Sequence, residues 1–217
     1  MLDTARRTRS APSAASATRG PVVSILIADA ALSERVKALV ESAGLESRSY
    51  EDTASLIAEF PRREPSCLVL GAQVGERPAP DILAELSRRG LRVPTLVVTS
   101  RPDVAGAVAA MRAGAADVLE AGALSQQLVG VVQRAISADL CERIADLEAE
   151  AVRQRYASLT RREREVLQFV VQGETSSGIA AQLGLREKTV EIYRSHINKK
   201  MQARNAAELT KLMLSLH

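Results

Sequence analysis

Apolar positions along this chain follow two periods, and the changeovers between them outline its organisation. From residue 21 to about 123, short apolar runs alternate with stretches of helical spacing. The runs at 22–28, 45–49, 67–70, 95–99 and 116–119 predict strands. Helices are predicted over 32–42 closed by Gly44, from a start at Pro80 and Asp81, and over 103–113 closed by Gly114. Strands alternating with helices predict a parallel sheet covered on both faces. After Ser125, read as a helix cap, Val129, Val132, Ile136, Leu140, Ile144, Leu147 and Ala151 recur at intervals of three or four, which predicts one long helix.

Beyond it the period stays helical. Thr160 and Glu163 have the spacing of a capping box, opening a helix to about Val171 with Gly173 placed to stop it. A short helix over 177–183 ends at Gly184, and a third begins near Glu187. At 100° per residue that third helix gathers Val190, Tyr193, Ile197 and Met201 on one side and Lys188, Ile192, Ser195 and Lys199 on the other. The first side suits the core of a small helical domain. The second is basic, yet displays an Ile that a merely solvated face has no reason to keep. Lysines meet phosphates, a serine reaches a base edge and an exposed methyl contacts a thymine methyl, so the face suits DNA's major groove. The plainer alternative is a surface helix with one exposed Ile.

The segment Leu159-Thr-Arg-Arg-Glu-Arg-Glu-Val-Leu, with Ile179-Ala-Ala-Gln-Leu-Gly, Thr189-Val-Glu and Lys199-Lys-Met, resembles the DNA-binding domain of the LuxR/FixJ/NarL family. The resemblance implies that Glu191, Ile192 and Ser195 read bases. It also implies that Lys188, Arg194, Lys199 and Lys200 meet the backbone, with Thr175, Ser176 and Thr189 in the same interface. Three positions depart from the family pattern: Arg186 replaces a Ser helix cap, Ser177 a Lys and Tyr193 a His.

Charge sharpens this division. The net +3 splits into +3 over 1–20, −3 over 21–125, −1 over 126–155 and +4 over 156–217, so positive charge gathers where DNA contact is expected. Residues 1–20, rich in Ala, Ser, Thr and Arg with no hydrophobic period, read as a disordered tail. A receiver-like domain is expected over 21–124, a linker helix over 125–155 and the helix-turn-helix domain over 156–217. No apolar run approaches a membrane span, two distant cysteines make no disulfide framework, and no signal peptide is evident, so a cytoplasmic chain is expected.

The fragments Ile25-Leu-Ile-Ala-Asp, Leu96-Val-Val-Thr and Ala110-Met-Arg-Ala-Gly-Ala-Ala-Asp resemble the receiver domain of response regulators. That implies a flavodoxin-like, five-stranded parallel-sheet α/β domain, followed by an all-α four-helix helix-turn-helix domain joined by a long helix. It also implies aspartyl phosphorylation, which requires acids for Mg²⁺, an acceptor Asp, a Lys and a hydroxyl. Here Asp29 is present but its partner position holds Ala30. Gly71 occupies the acceptor position, Ala121 stands where the family has its Lys, and Val118 holds the aromatic switch position; Thr99 survives. One acid and one hydroxyl leave a degenerate site, with Asp29 expected to act as a cap.

The expectation is therefore a DNA-binding transcription regulator of response-regulator type, not switched by phosphate, with double-stranded DNA as partner and no cofactor or metal. Two apolar stripes, Leu140, Ile144 and Leu147 in the long helix and Leu209, Leu212 and Leu216 in the last, point to a homodimer. The alternative makes the receiver-like unit an interaction module for a protein partner or small ligand, with DNA contact secondary. No nucleophile–base, paired-carboxylate or metal-ligand pattern supports an enzyme, and His196 and His217 lie at the helical end of the chain.

Overall fold

The computed structural model describes residues 20–101 and 103–216; the tail expected over 1–20 falls outside them except for Gly20, as does His217. The chain forms two compact units that divide between Leu140 and Cys141.

In the first unit the elements run β1 (Val22–Leu26), α1 (Ala30–Ser42), β2 (Glu46–Ser49), α2 (Thr53–Glu59), β3 (Ser66–Gly71), β4 (Gln73–Val74), β5 (Arg77–Pro78), α3 (Ala79–Arg88), β6 (Thr95–Thr99), α4 (Val104–Arg112) and β7 (Asp117–Glu120). The sheet is parallel in the order β2-β1-β3-β6-β7, and β4 and β5 form a separate small hairpin. All five expected strands are present, with ends shifted by a residue or two. The apolar runs are nearly continuous because both faces are covered. Val23, Ile25, Cys67, Val69, Leu96 and Val98 pack against α1 and the start of the long helix α5 (Leu124–Ala157). Leu26, Leu68, Leu70 and Val97 pack against α2, α3 and α4. The short α2 was not marked by the apolar pattern; Asp52 and Ser55 cap it reciprocally.

α5 begins at Leu124, fully buried, after a 3-10 turn over Ala121–Ala123. Ser125 is therefore not a cap but an internal residue, and its hydroxyl accepts from Arg35 at 3.1 Å. Nor is α5 a free linker. Leu128, Val132 and Ile136 belong to the core under the sheet, while Val152 belongs to the second core. Asp139, 3% exposed, accepts the Ser66 backbone N–H at 2.8 Å, satisfying a buried donor at the start of β3.

The second unit adds α6 (Arg161–Val171), α7 (Ser176–Leu183), α8 (Glu187–Met201) and α9 (Ala206–Leu214) to the end of α5. Both halves of the Thr160–Glu163 capping box are made. Gly173 at φ +86 and Gly184 at φ +64 take the left-handed turns that end α6 and α7, where a side chain would be strained. Val166, Leu167, Val170, Ile179, Val190, Ile197, Met201 and Leu209 form its core. No helix among the described residues is long and apolar enough to cross a membrane.

Candidate nucleic-acid interface and receiver crevice

α8 divides as its periodicity requires. Val190, Ile197 and Met201 are fully buried and Tyr193 packs half-buried beside them. On the other side Lys188, Glu191, Ser195 and Lys199 are exposed and Ile192 is 49% exposed. Lys188 Nζ lies 3.0 Å from Glu191 Oε2, an exposed pair that contributes little to stability. The helix starts without a side-chain cap at Arg186, in keeping with the missing Ser there. Before it, Thr175 caps α7 through its hydroxyl, which accepts from Gly178 N–H at 3.1 Å; Ser176 and Thr189 are half-buried.

Two residues expected at the DNA backbone are part-exposed and also hold contacts inside the unit. Lys200 donates to Glu163 Oε2 at 2.7 Å, and Glu163 is nearly buried. Burial pushes the Glu163 carboxyl up, but the Lys200 hydrogen bond and charge, with the Thr160 N–H and hydroxyl, outweigh it and hold the group below its ordinary value. Arg194 donates to the Glu174 carbonyl at 3.1 Å, clasping the turn between α6 and α7. Leu209, expected at a surface between copies, is 1% exposed and belongs to the unit's own core; Leu212 and Leu216 are half-buried against it.

In the first unit the strand order reverses between β1 and β3, and a crevice of about 360 Å³ opens at their C-terminal ends. Asp29, Gly71, Thr99 and Arg101 line it. Asp29 accepts from Leu32 N–H at 3.0 Å and is the N-cap of α1, with Ala30 as the first helical residue. The Thr99 hydroxyl donates to the Arg101 carbonyl at 2.7 Å and accepts its N–H at 3.2 Å. A Cβ added at Gly71 would lie 3.2 Å from the Gln73 carbonyl oxygen, a tight approach that needs the hairpin backbone to give by a few tenths of an ångström, and 3.5 Å from Ile27 Cα, an ordinary contact. Ala121 lies in the 3-10 turn after β7 and brings no charge. A hard cation needs several oxygens, and Asp29 is the only carboxylate among the described residues lining the crevice, so these residues do not fit Mg²⁺. Cys67 is buried beneath the sheet; burial, with the Asp139 charge adding to it, pushes its thiol up to about 12.

Residues 157–213 match GerE, the luxR family of bacterial regulatory proteins. Over most of its length the chain is similar to two curated relatives. It is 35% identical to the C4-dicarboxylate transport transcriptional regulatory protein DctR of Rhodobacter capsulatus, covering 80% of this chain and 89% of the relative. It is 30% identical to the transcriptional regulatory protein FixJ of Azorhizobium caulinodans, covering 88% and 91%. The chain belongs to the LuxR-type response regulators. The solved response regulator StyR superposes on it with a TM-score of 0.79 at 26% identity, covering 90% of this chain and 99% of that one.

Within this LuxR-type regulator, α7 and α8 are the helix-turn-helix pair and α8 its second member. The structure brings Lys188, Glu191, Ile192, Ser195 and Lys199 to one open face, while Arg194 and Lys200 are part-exposed and each holds a contact inside the unit. Sequence reasoning passed over Arg101 at the crevice and the Gln73 carbonyl above Gly71. The two-residue strands of that hairpin are too short to show a period.

Proposed function

We propose that this chain is a sequence-specific DNA-binding regulator of transcription, acting as a cytoplasmic homodimer on double-stranded DNA, that catalyses no reaction and is not switched by aspartyl phosphate. The observation that carries it is the open face of α8, where Lys188, Ile192, Ser195 and Lys199 stand opposite three fully buried core residues. Lys188 and Lys199 are suited to phosphates. Glu191 can accept from a cytosine amino group, Ile192 can cover a thymine methyl and Ser195 can bond either base edge. The relatives' printed names, transcriptional regulatory proteins, support the same role for this chain.

The independence from phosphate is supported by the crevice. Among the described residues its one carboxylate, Asp29, caps a helix, its acceptor position is a glycine under the Gln73 carbonyl, and Ala121 supplies no cation to hold a phosphoryl group. The test pairs two measurements on the untreated chain. Selection from a randomised DNA pool should enrich one sequence. Acetyl phosphate with Mg²⁺ should then add no phosphoryl mass and leave the affinity for that sequence unchanged. Labelling, or a rise in affinity on treatment, overturns the phosphate-independent reading.

A second reading makes the receiver-like unit the working part, taking a small ligand or protein partner. In its favour is a cavity of about 510 Å³ lined by Ala72, Pro78, Ala107, Ala110 and Val118, with Thr99 and Arg101 at hand. Against it stands the basic face of α8, which such a module has no need to keep.

A further inference from the structure

Over residues 140–150 α5 has no buried side chain, yet it carries Leu140 at 44%, Ile144 at 47% and Leu147 at 70% exposure. With half-buried Ala151 they are spaced four, three and four residues apart, the d–a–d–a order of a coiled-coil seam. A helical stretch without tertiary packing is marginal in water, and a contiguous apolar stripe on it marks a contact surface. Resting on the homodimer reading above, we propose that the occupant is the same stripe of a second copy, in a parallel, in-register α5 zipper.

Charge selects both partner and direction. With Leu140 and Leu147 at d and Ile144 and Ala151 at a, Arg143 and Glu150 fall at g and Glu148 and Arg155 at e. In a parallel pair each g residue meets the e residue five positions further along the other helix. Arg143 then meets Glu148 of the second copy, and Glu150 meets Arg155. Both pairs are opposite in sign, and the two-fold axis repeats each of them. An antiparallel pair with the same apolar register sets only Arg143 against Glu150. Contacts within one chain do not prevent the pairing. Arg143 has a partner within its own chain, Arg155 donates to the Met201 carbonyl at 3.3 Å and Glu150 accepts from Arg153 and Gln154, each at 3.2 Å, but a guanidinium has five N–H donors and a carboxylate several lone pairs.

Room for the partner continues beside the seam. A groove of about 820 Å³ between the end of α5 and α9 is lined by Leu147, Ala151 and Leu212 together with Glu148, Arg155 and Lys211, so the flank of an incoming helix meets both apolar and charged side chains. Two heptads make a weak zipper. It tightens when both reading helices engage adjacent half-sites, because the second contact becomes intramolecular. The parallel direction is what brings the two DNA-binding units to one end of the pair.

The experiment uses the full chain with Cys141→Ser, leaving only the buried Cys67. Single cysteines are introduced as Leu140→Cys, as Leu147→Cys, and as Asp146→Cys on the opposite side of the helix. Under mild oxidation the first two should each link to themselves and the third should not. An antiparallel pair instead links Leu140→Cys only to Ala151→Cys in a mixture, which overturns the proposal. Glu148→Arg should weaken dimerisation about tenfold, and adding Arg143→Glu should restore it to within about twofold. No effect of the first change, or no recovery with the second, also overturns it. Sedimentation of the unaltered chain separates the two levels. A dimer that does not self-link at Leu140→Cys fails the zipper and keeps the homodimer. A chain that stays monomeric with and without two-half-site DNA fails both.

Discussion

Lys199 and Lys200 adjoin in sequence and differ in occupation: one is exposed on the open face of α8, the other lies 2.7 Å from a nearly buried Glu163. Lys199→Ala should weaken binding to all DNA sequences alike and lower the salt slope of log K by about one, measured by titration at several salt concentrations. Lys200→Met should leave that slope unchanged and reduce stability by about 1–3 kcal/mol in denaturant unfolding, because Glu163 loses its partner. Ile192→Ala should relax preference at one base position, by about 1 kcal/mol. Glu163 also gives the helical unit a pH dependence. Its carboxyl is depressed in the folded state, so the stability it contributes is present above its unfolded value and is lost as pH falls through the folded one. Thermal unfolding across that acid range should shift less in Glu163→Gln. The opposition of the two faces of α8 was legible from spacing alone. The duties of Lys200 and Arg194 were not, because their partners lie 37 and 20 residues away in sequence.

At the scale of elements, α5 ties the sheet to the helical unit by entering both cores, and the bond from Ser66 N–H to Asp139 fixes its middle. Asp139→Ala should destabilise the first unit by about 1–3 kcal/mol in denaturant unfolding, since it leaves a buried donor unpaired. Elements announced by local pattern, the five strands and the Thr160 capping box, were readable in the sequence. α2 and the β4–β5 hairpin were not, being too short for a period to develop. Ser125 misled because a good capping residue near a helix start resembles a cap wherever it falls; the preceding 3-10 turn and buried Leu124 moved the boundary. Leu209 misled for a related reason. A stripe shows which residues are apolar but not whether their own core or another molecule covers them.

For the molecule as a whole, the reading proposed above places control outside phosphate chemistry, and Gly71 offers a direct check. Gly71→Asp should lower stability by about 1–3 kcal/mol, because the added side chain presses on the Gln73 carbonyl, and treatment with acetyl phosphate should still leave DNA affinity unchanged. The departures from the family pattern were visible in the sequence; the crowding was not, since it arises where a hairpin folds back over a strand end. It also bears on ancestry. Two of the four glycine codons lie one base from an aspartate codon, so a glycine encoded by either of them reaches aspartate in a single change. With the hairpin backbone in place, that change presses on the Gln73 carbonyl before Ala30 and Ala121 can make it useful. On the phosphate-independent reading the hairpin thus acts as a ratchet: a descendant of this chain gains phosphate control only after first easing a turn that has nothing to do with it.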